Sequence, residues 1–189
     1  MMTGMDNDAL TRFDRSSAVL DTVLAGVKAD QHADPTPCAD WDIRALVNHV
    51  VTGNLVFQGI LLGTPPIDRT VDHLGDDPLE AYRSTLAELR TAFLGEGVAT
   101  TTYQGPIGPA TGAFLLEMRT TECYVHAWDL ARAAGQSTDL DPEIAVERLT
   151  SIQARGGLPR APGFFGPEQP APANATEADK LAAYFGRTL

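Results

Sequence analysis

The spacing with the most chemistry in this chain runs from Arg119 to Asp129. On a helix, which turns about 100° per residue, Arg119, Glu122, His126 and Asp129 share one narrow arc. Phe114, Met118 and Val125 flank that arc on one side; Leu116, Cys123, Ala127 and Leu130 flank it on the other. Glu117, Thr120 and Tyr124 fall on the opposite face, which is expected to meet solvent. An ionisable stripe thus lies within an apolar face, where charges are costly unless they are paired or hold a metal. Two readings are open. One is a buried ion-pair network, Arg119 with Glu122 and Glu122 with His126. The other is a Glu-x-x-x-His metal half-site, with both ligands projecting inward from adjacent turns.

A half-site needs a further ligand. His32 and His73 fall in polar connections, where a solvated histidine is the default. His49 instead sits in an apolar helical pattern beside Gly53, Val56 and Ile60, and Gly53 leaves room for something bulky. A core histidine with satisfied hydrogen bonds is the plain alternative. Two histidines and a carboxylate would leave coordination positions open, as in catalytic zinc or non-haem iron sites. Cys123 points about 100° away from Glu122 and reads as a buried structural cysteine. Cys38, in a loop, has nothing near it in sequence to depress its pKa, and neither cysteine is assigned a role. No Gly-x-Gly-x-x-Gly, phosphate loop or Ser-centred nucleophile elbow is present.

The elements that must position these groups are helices. Leu10, Phe13, Ser17, Leu20, Leu24 and Val27 step by three and four, tracing one face of a helix near 6–30. A second is expected from Asp40 or Trp41 to about Leu62, between Pro35 and Pro37 on one side and Gly63 to Pro66 on the other. Asp77-Pro78 opens a third, near 77–94. A β-like run at 98–103 precedes a fourth, near 110–134, stopped by Gly135. Shorter helices follow Asp141-Pro142 and span 176–185. The Pro-rich 158–173 segment is expected to be irregular. The fold class is therefore all-α, a four-helix bundle with short extra helices, in a single domain over 1–189.

Composition narrows the function. Fourteen basic residues against 25 acidic give a net charge of −11, and only two of the basic residues, Lys28 and Lys180, are lysines. Such a chain repels phosphate backbones and anionic lipid, so neither nucleic acid nor a membrane is an expected partner. No apolar run is expected to reach the roughly 18–20 residues that span a bilayer. The first residues lack the basic and apolar regions of a secretory signal, and two cysteines are too few for a disulfide framework. The expected location is the cytoplasm.

Two stretches carry a family resemblance. Pro37-Cys38-Ala39-Asp40-Trp41-Asp42-Ile43-Arg44-Ala45-Leu46-Val47-Asn48-His49-Val50-Val51 resembles the first signature of actinobacterial DinB-like metal-binding proteins, relatives of the N-terminal domain of mycothiol-dependent maleylpyruvate isomerase. Glu122-Cys123-Tyr124-Val125-His126-Ala127-Trp128-Asp129-Leu130-Ala131-Arg132 resembles the second, and Phe165 to Glu168 with Phe185-Gly186-Arg187 resembles the usual ending. The resemblance implies a DinB-like four-helix bundle and a divalent metal on His49, Glu122 and His126, the residues the periodicity also singles out. It implies a metal-dependent enzyme using mycothiol, a low-molecular-weight thiol, in transferase or isomerase chemistry on a small electrophile. A non-catalytic metal- or ligand-binding bundle is the alternative. Asp129, one turn beyond His126, would accept that ring's free N–H. Zinc is the favoured metal, with nickel, iron or manganese also accepted by this ligand set. The isomerase has a further C-terminal domain for which 189 residues leave no room, so maleylpyruvate isomerisation itself is not expected. A homodimer is one open state of assembly.

Overall fold

Side-chain caps mark where each helix begins. In a computed structural model, which describes residues 4–158 and 166–189, α1 spans Asn7–Ala25, with the Asp6 carboxylate accepting from Asp8 N. The helix α2 is Ile43–Leu62, α3 is Pro78–Phe93 and α4 is Gly112–Ala133. Asp77 caps α3 and Pro78 fills its first turn, where a missing N–H costs nothing. The helices α5, Pro142–Ala154, and α6, Glu177–Tyr184, follow, capped by Asp141 and Thr176. The architecture is mainly α, in agreement with the expected class.

Several boundaries move for local reasons. The cap of α2 is Asp42, not Asp40, and accepts from Ala45 N at 2.8 Å. Residues 38–41 are held in a turn by Trp41 N donating to Cys38 O, and Pro35 bridges to Asp42. The first helix ends at Ala25, and a short 3₁₀ turn at Ala29–Gln31 replaces its expected last turn. Gln136 ends it: its amide donates to Val23 O at 2.9 Å and lies so close to Gly26 that a Cβ there would sit 2.9 Å away. The extended run is also displaced. Residues 98–101 turn, and the strands are β1, Thr102–Gly105, and β2, Gly108–Thr111. They pair antiparallel from Thr102 opposite Thr111 to Gly105 opposite Gly108. Thr111 then caps α4 by accepting from Phe114 N, so the helix starts at Gly112.

The main core lies among α1–α4. Phe13, Leu20, Leu46, Val50, Tyr82, Leu89, Phe93, Leu115, Leu116 and Leu130 are buried there. A second apolar cluster, Tyr124, Val125, Trp128, Ile144, Ile152, Leu181 and Phe185, joins α4 to α5 and α6. The helix α4 therefore runs between two cores, and this overturns the expected solvent face. Thr120 and Tyr124 are both 1% exposed. The Thr120 carbonyl accepts from Ser16 Oγ, and Tyr124 OH donates to Asp141 O at 2.7 Å.

By length and composition alone α2 is apolar enough to cross a membrane, with 20 residues and a mean hydropathy of 1.4. That corrects the expectation that no stretch qualifies. In the fold it packs against α3 and α4 and buries Ile43, Leu46, Val50, Val51 and Phe57, as a core helix does. Of the Pro-rich stretch, residues 166–173 carry no regular structure and residues 159–165 lie outside the described residues.

Candidate metal centre and adjoining cleft

Helices α2 and α4 bring His49 and His126 together. Their ring centroids are 5.0 Å apart, edge to face, and Trp41 at the head of α2 lies 4.5 Å from the His49 ring. This indole wall and the loss of water push His49 well below the ordinary histidine range. Burial is the larger cause and the neighbouring His126 the next; Glu122 pulls the other way, and the outcome is about 4. His49 is thus a neutral imidazole at neutral pH, the form that ligates metals.

Glu122 lies on the same side of α4, about a third exposed (32%), one turn before His126. Arg119 Nη1 donates to its Oε2 at 2.6 Å, so the ion pair of the first reading exists. That bond uses one carboxylate oxygen, Oε2. Burial would raise the Glu122 pKa, but Arg119, His126 and His49 outweigh it and hold it below the usual carboxylate range. Arg119 itself is fully buried, with Nη2 donating to Asn54 Oδ1 at 2.8 Å and the guanidinium 5.4 Å from the Phe57 ring centroid. The space left by Gly53 belongs to this arginine. A Cβ there would lie 2.5 Å from Arg119 Nη1, so Gly53 admits the guanidinium and not a ligand.

On the other side of His126 stands a network that crosses the chain. Asp129 Oδ2 lies 3.0 Å from His126 Nδ1. Arg187, just beyond α6, donates Nε to Asp129 Oδ1 at 3.0 Å and Nη2 to Oδ2 at 2.8 Å. Burial would raise Asp129, but the bonds from His126 and Arg187 hold it at about 2. An ionised Asp129 can only accept, so Nδ1 donates to it and Nε2 is not used by this pair. Cys38 Sγ is 3.4 Å from Asp129 Oδ2 and 3.5 Å from Arg187 Nη2. Burial first, and then the Asp129 charge, push this thiol up to about 12.

Among the described residues the donor atoms that lie within 4.8 Å of one another are those of Cys38, His126 and Asp129; His49, Glu122 and His126, the set expected from the sequence, are not brought that close in this structure. The Arg187 guanidinium already bonds two of the three, and a cation there would have to displace it. Sequence reasoning gave Cys38 no role and missed Arg187, 58 residues from Asp129; the only signal for Arg187 was its place in the recognised ending.

Glu122 also opens onto a cleft of about 360 Å³. Its walls are the β1–β2 turn at Pro106 and Ile107, Phe114 and Met118 of α4, and Ile152, Arg155 and Leu158 at the end of α5. These are the two irregular regions flanking α4 in sequence, brought to one mouth.

Paired imidazoles, a carboxylate and an open cleft thus meet on one helical bundle. Residues 13–131 match the family described as the mycothiol maleylpyruvate isomerase N-terminal domain, and the chain belongs to that family. Two uncharacterized proteins of Mycobacterium tuberculosis, one from each of two strains, are 40% identical to it over 184 residues, covering 96% of this chain and 99% of theirs. The crystal structure of the mycothiol-dependent maleylpyruvate isomerase superposes with a TM-score of 0.63 at 17% identity, over 80% of this chain and 72% of that one. A histidine-to-alanine mutant of the same enzyme gives 0.61 at the same identity and coverage.

Proposed function

We propose that this chain holds a divalent metal, zinc first among the candidates, through His49, Glu122 and His126, and uses it with a low-molecular-weight thiol such as mycothiol in transferase or isomerase chemistry. The observation that carries the proposal is the edge-to-face pair of imidazoles at 5.0 Å beside an ionised carboxylate. The donor set fits a metal in its chemistry. His49 is neutral, the pair of His126 with Asp129 does not use Nε2, and Glu122 has an oxygen that Arg119 does not use. An open-site divalent cation lowers the pKa of a bound thiol from about 8.5, so that a thiolate nucleophile exists at neutral pH. Asp129 fixes the His126 tautomer and ring direction, and Arg187 holds Asp129 in place. Trp41 closes the His49 side against water. The cleft beside Glu122 receives the thiol's reaction partner. Cys38 is not the nucleophile, because its thiol stays protonated.

The test has two parts. Untagged protein is analysed for bound metal and titrated with zinc, beside His126→Ala. The zinc-loaded protein is then given mycothiol and a panel of electrophiles such as monochlorobimane. One equivalent of metal that His126→Ala loses, with conjugation that falls in parallel, supports the proposal. Conjugation undiminished in His126→Ala overturns metal catalysis. Metal without any conjugation favours a non-catalytic binding bundle, for which the same two histidines serve equally well.

A further inference from the structure

The cleft and the candidate metal centre share one helical stripe. Phe114, Met118, Glu122 and His126 follow one another at steps of four along α4. The first three line the cleft; the last two belong to the centre. At 1.5 Å rise per residue the cleft floor from Phe114 to Glu122 is about 12 Å long. Phe114 and Met118 form that floor, and Ile107, Ile152, Leu158 and Phe185 add further apolar wall. Ile107 is 45% exposed, a large apolar side chain left at the mouth in a strongly acidic protein.

The charges around the cleft differ in how they are matched. Glu117 is bonded by Arg12 and Arg148, and Glu147 pairs with the same two arginines. Glu122 is bonded by Arg119. Arg155 has no carboxylate partner among the described residues. Its guanidinium lies over the Phe114 ring, 5.6 Å from the centroid, at the end of the floor farthest from Glu122. A cation on an aromatic face keeps its N–H fork free for a planar anion.

We infer that the cleft binds an elongated apolar carboxylate, its anionic end on Arg155 and its other end beside Glu122 and His126. Among the described residues the other arginines at the cleft are matched to carboxylates and do not compete for that anion, and the apolar floor between the two ends selects against short, fully polar acids. The inference rests on the proposed function only for the ligand's role as the thiol's reaction partner. The anchor, the floor and the length are properties of this chain's own residues.

The test uses 4-phenylbutyrate and its neutral counterpart 4-phenylbutan-1-ol, titrated calorimetrically into full-length protein dialysed against a chelator. Without metal the carboxylate has no competing cation to coordinate, so failure of metal binding and failure of this inference are read separately. The expected result is that 4-phenylbutyrate binds at least 10-fold more tightly than the alcohol. Arg155→Gln brings the acid to the level of the alcohol and leaves the alcohol unchanged. Met118→Trp, which fills the floor, weakens both at least 10-fold, while circular dichroism confirms that both variants are folded. Equal binding of acid and alcohol, or an acid affinity that survives Arg155→Gln, overturns the anchor. Undiminished binding to folded Met118→Trp places the ligand elsewhere and overturns the site.

Discussion

Three carboxylates on α4 meet arginines; Asp129 braces His126, and of the other two, Glu117 and Glu122, only one belongs to the candidate site. Glu117 is bonded by Arg12 at 3.1 Å and by Arg148, and Glu147 closes the set at 2.9 Å from Arg12. Two acids and two arginines pair with one another and tie α1, α4 and α5 together, although Arg12 Nε and Arg148 Nε lack a hydrogen-bond partner among the described residues. Glu122 has one arginine on one oxygen, and His126 and His49 are near enough to help hold its pKa down. The difference is saturation. A carboxylate with both oxygens on arginines holds helices together, and one with an oxygen to spare near imidazoles can take a ligand.

The sharpest way to break this comparison is to exchange the consequences. His126→Ala should lower zinc affinity by more than about 100-fold, beyond what losing an outer hydrogen-bond partner costs. Calorimetric titration measures it, and thermal stability should change little by comparison. Glu117→Gln should do the reverse. It leaves the nearly buried Arg148 short of a partner and should cost about 3 kcal/mol in urea denaturation, with zinc affinity unchanged. If Glu117→Gln weakens zinc as much as His126→Ala does, the two clusters are not separate.

Two smaller effects sharpen the boundary of the site. Asp129→Asn should weaken zinc by about 10–100-fold, because the amide no longer fixes Nδ1 as the protonated nitrogen. Nitrogen-15 shifts of the His126 ring in metal-free protein should show a mixed tautomer in this variant and a single one in the wild type. The smallest effect is on pH dependence. The folded pKa of His49 is about 4, against an unfolded value of 6.5. The unfolded chain therefore takes up this proton first, so metal-free protein loses stability as pH falls from about 6.5 towards 4. His49→Gln should flatten that part of the profile relative to the wild type; an unchanged slope would mean that His49 is not held neutral by burial.

How much of this was legible varies by element. The helices were readable because their caps and stops are local: Asp77-Pro78, Asp141-Pro142 and Gly63 each act within one turn. The stripe Arg119, Glu122, His126 and Asp129 was readable for the same reason, since periodicity alone puts those residues on one face. Thr120 and Tyr124 were misread because a polar face looks alike whether it meets water or a second core. Gly53 was misread too. Its missing side chain signalled space but not the arginine from another helix that fills it.

The sequence by itself determined which residues of α2 and α4 face the same way, because a helix fixes direction from its own backbone. It determined the net charge of −11. Only the tertiary structure decided what each face meets. It brought His49 to within 5.0 Å of His126, closed Arg187 on Asp129 across 58 residues, and set the β1–β2 turn against the end of α5 to make a cleft. Those pairings depend on how separate elements cross and pack, and no local pattern carries that information.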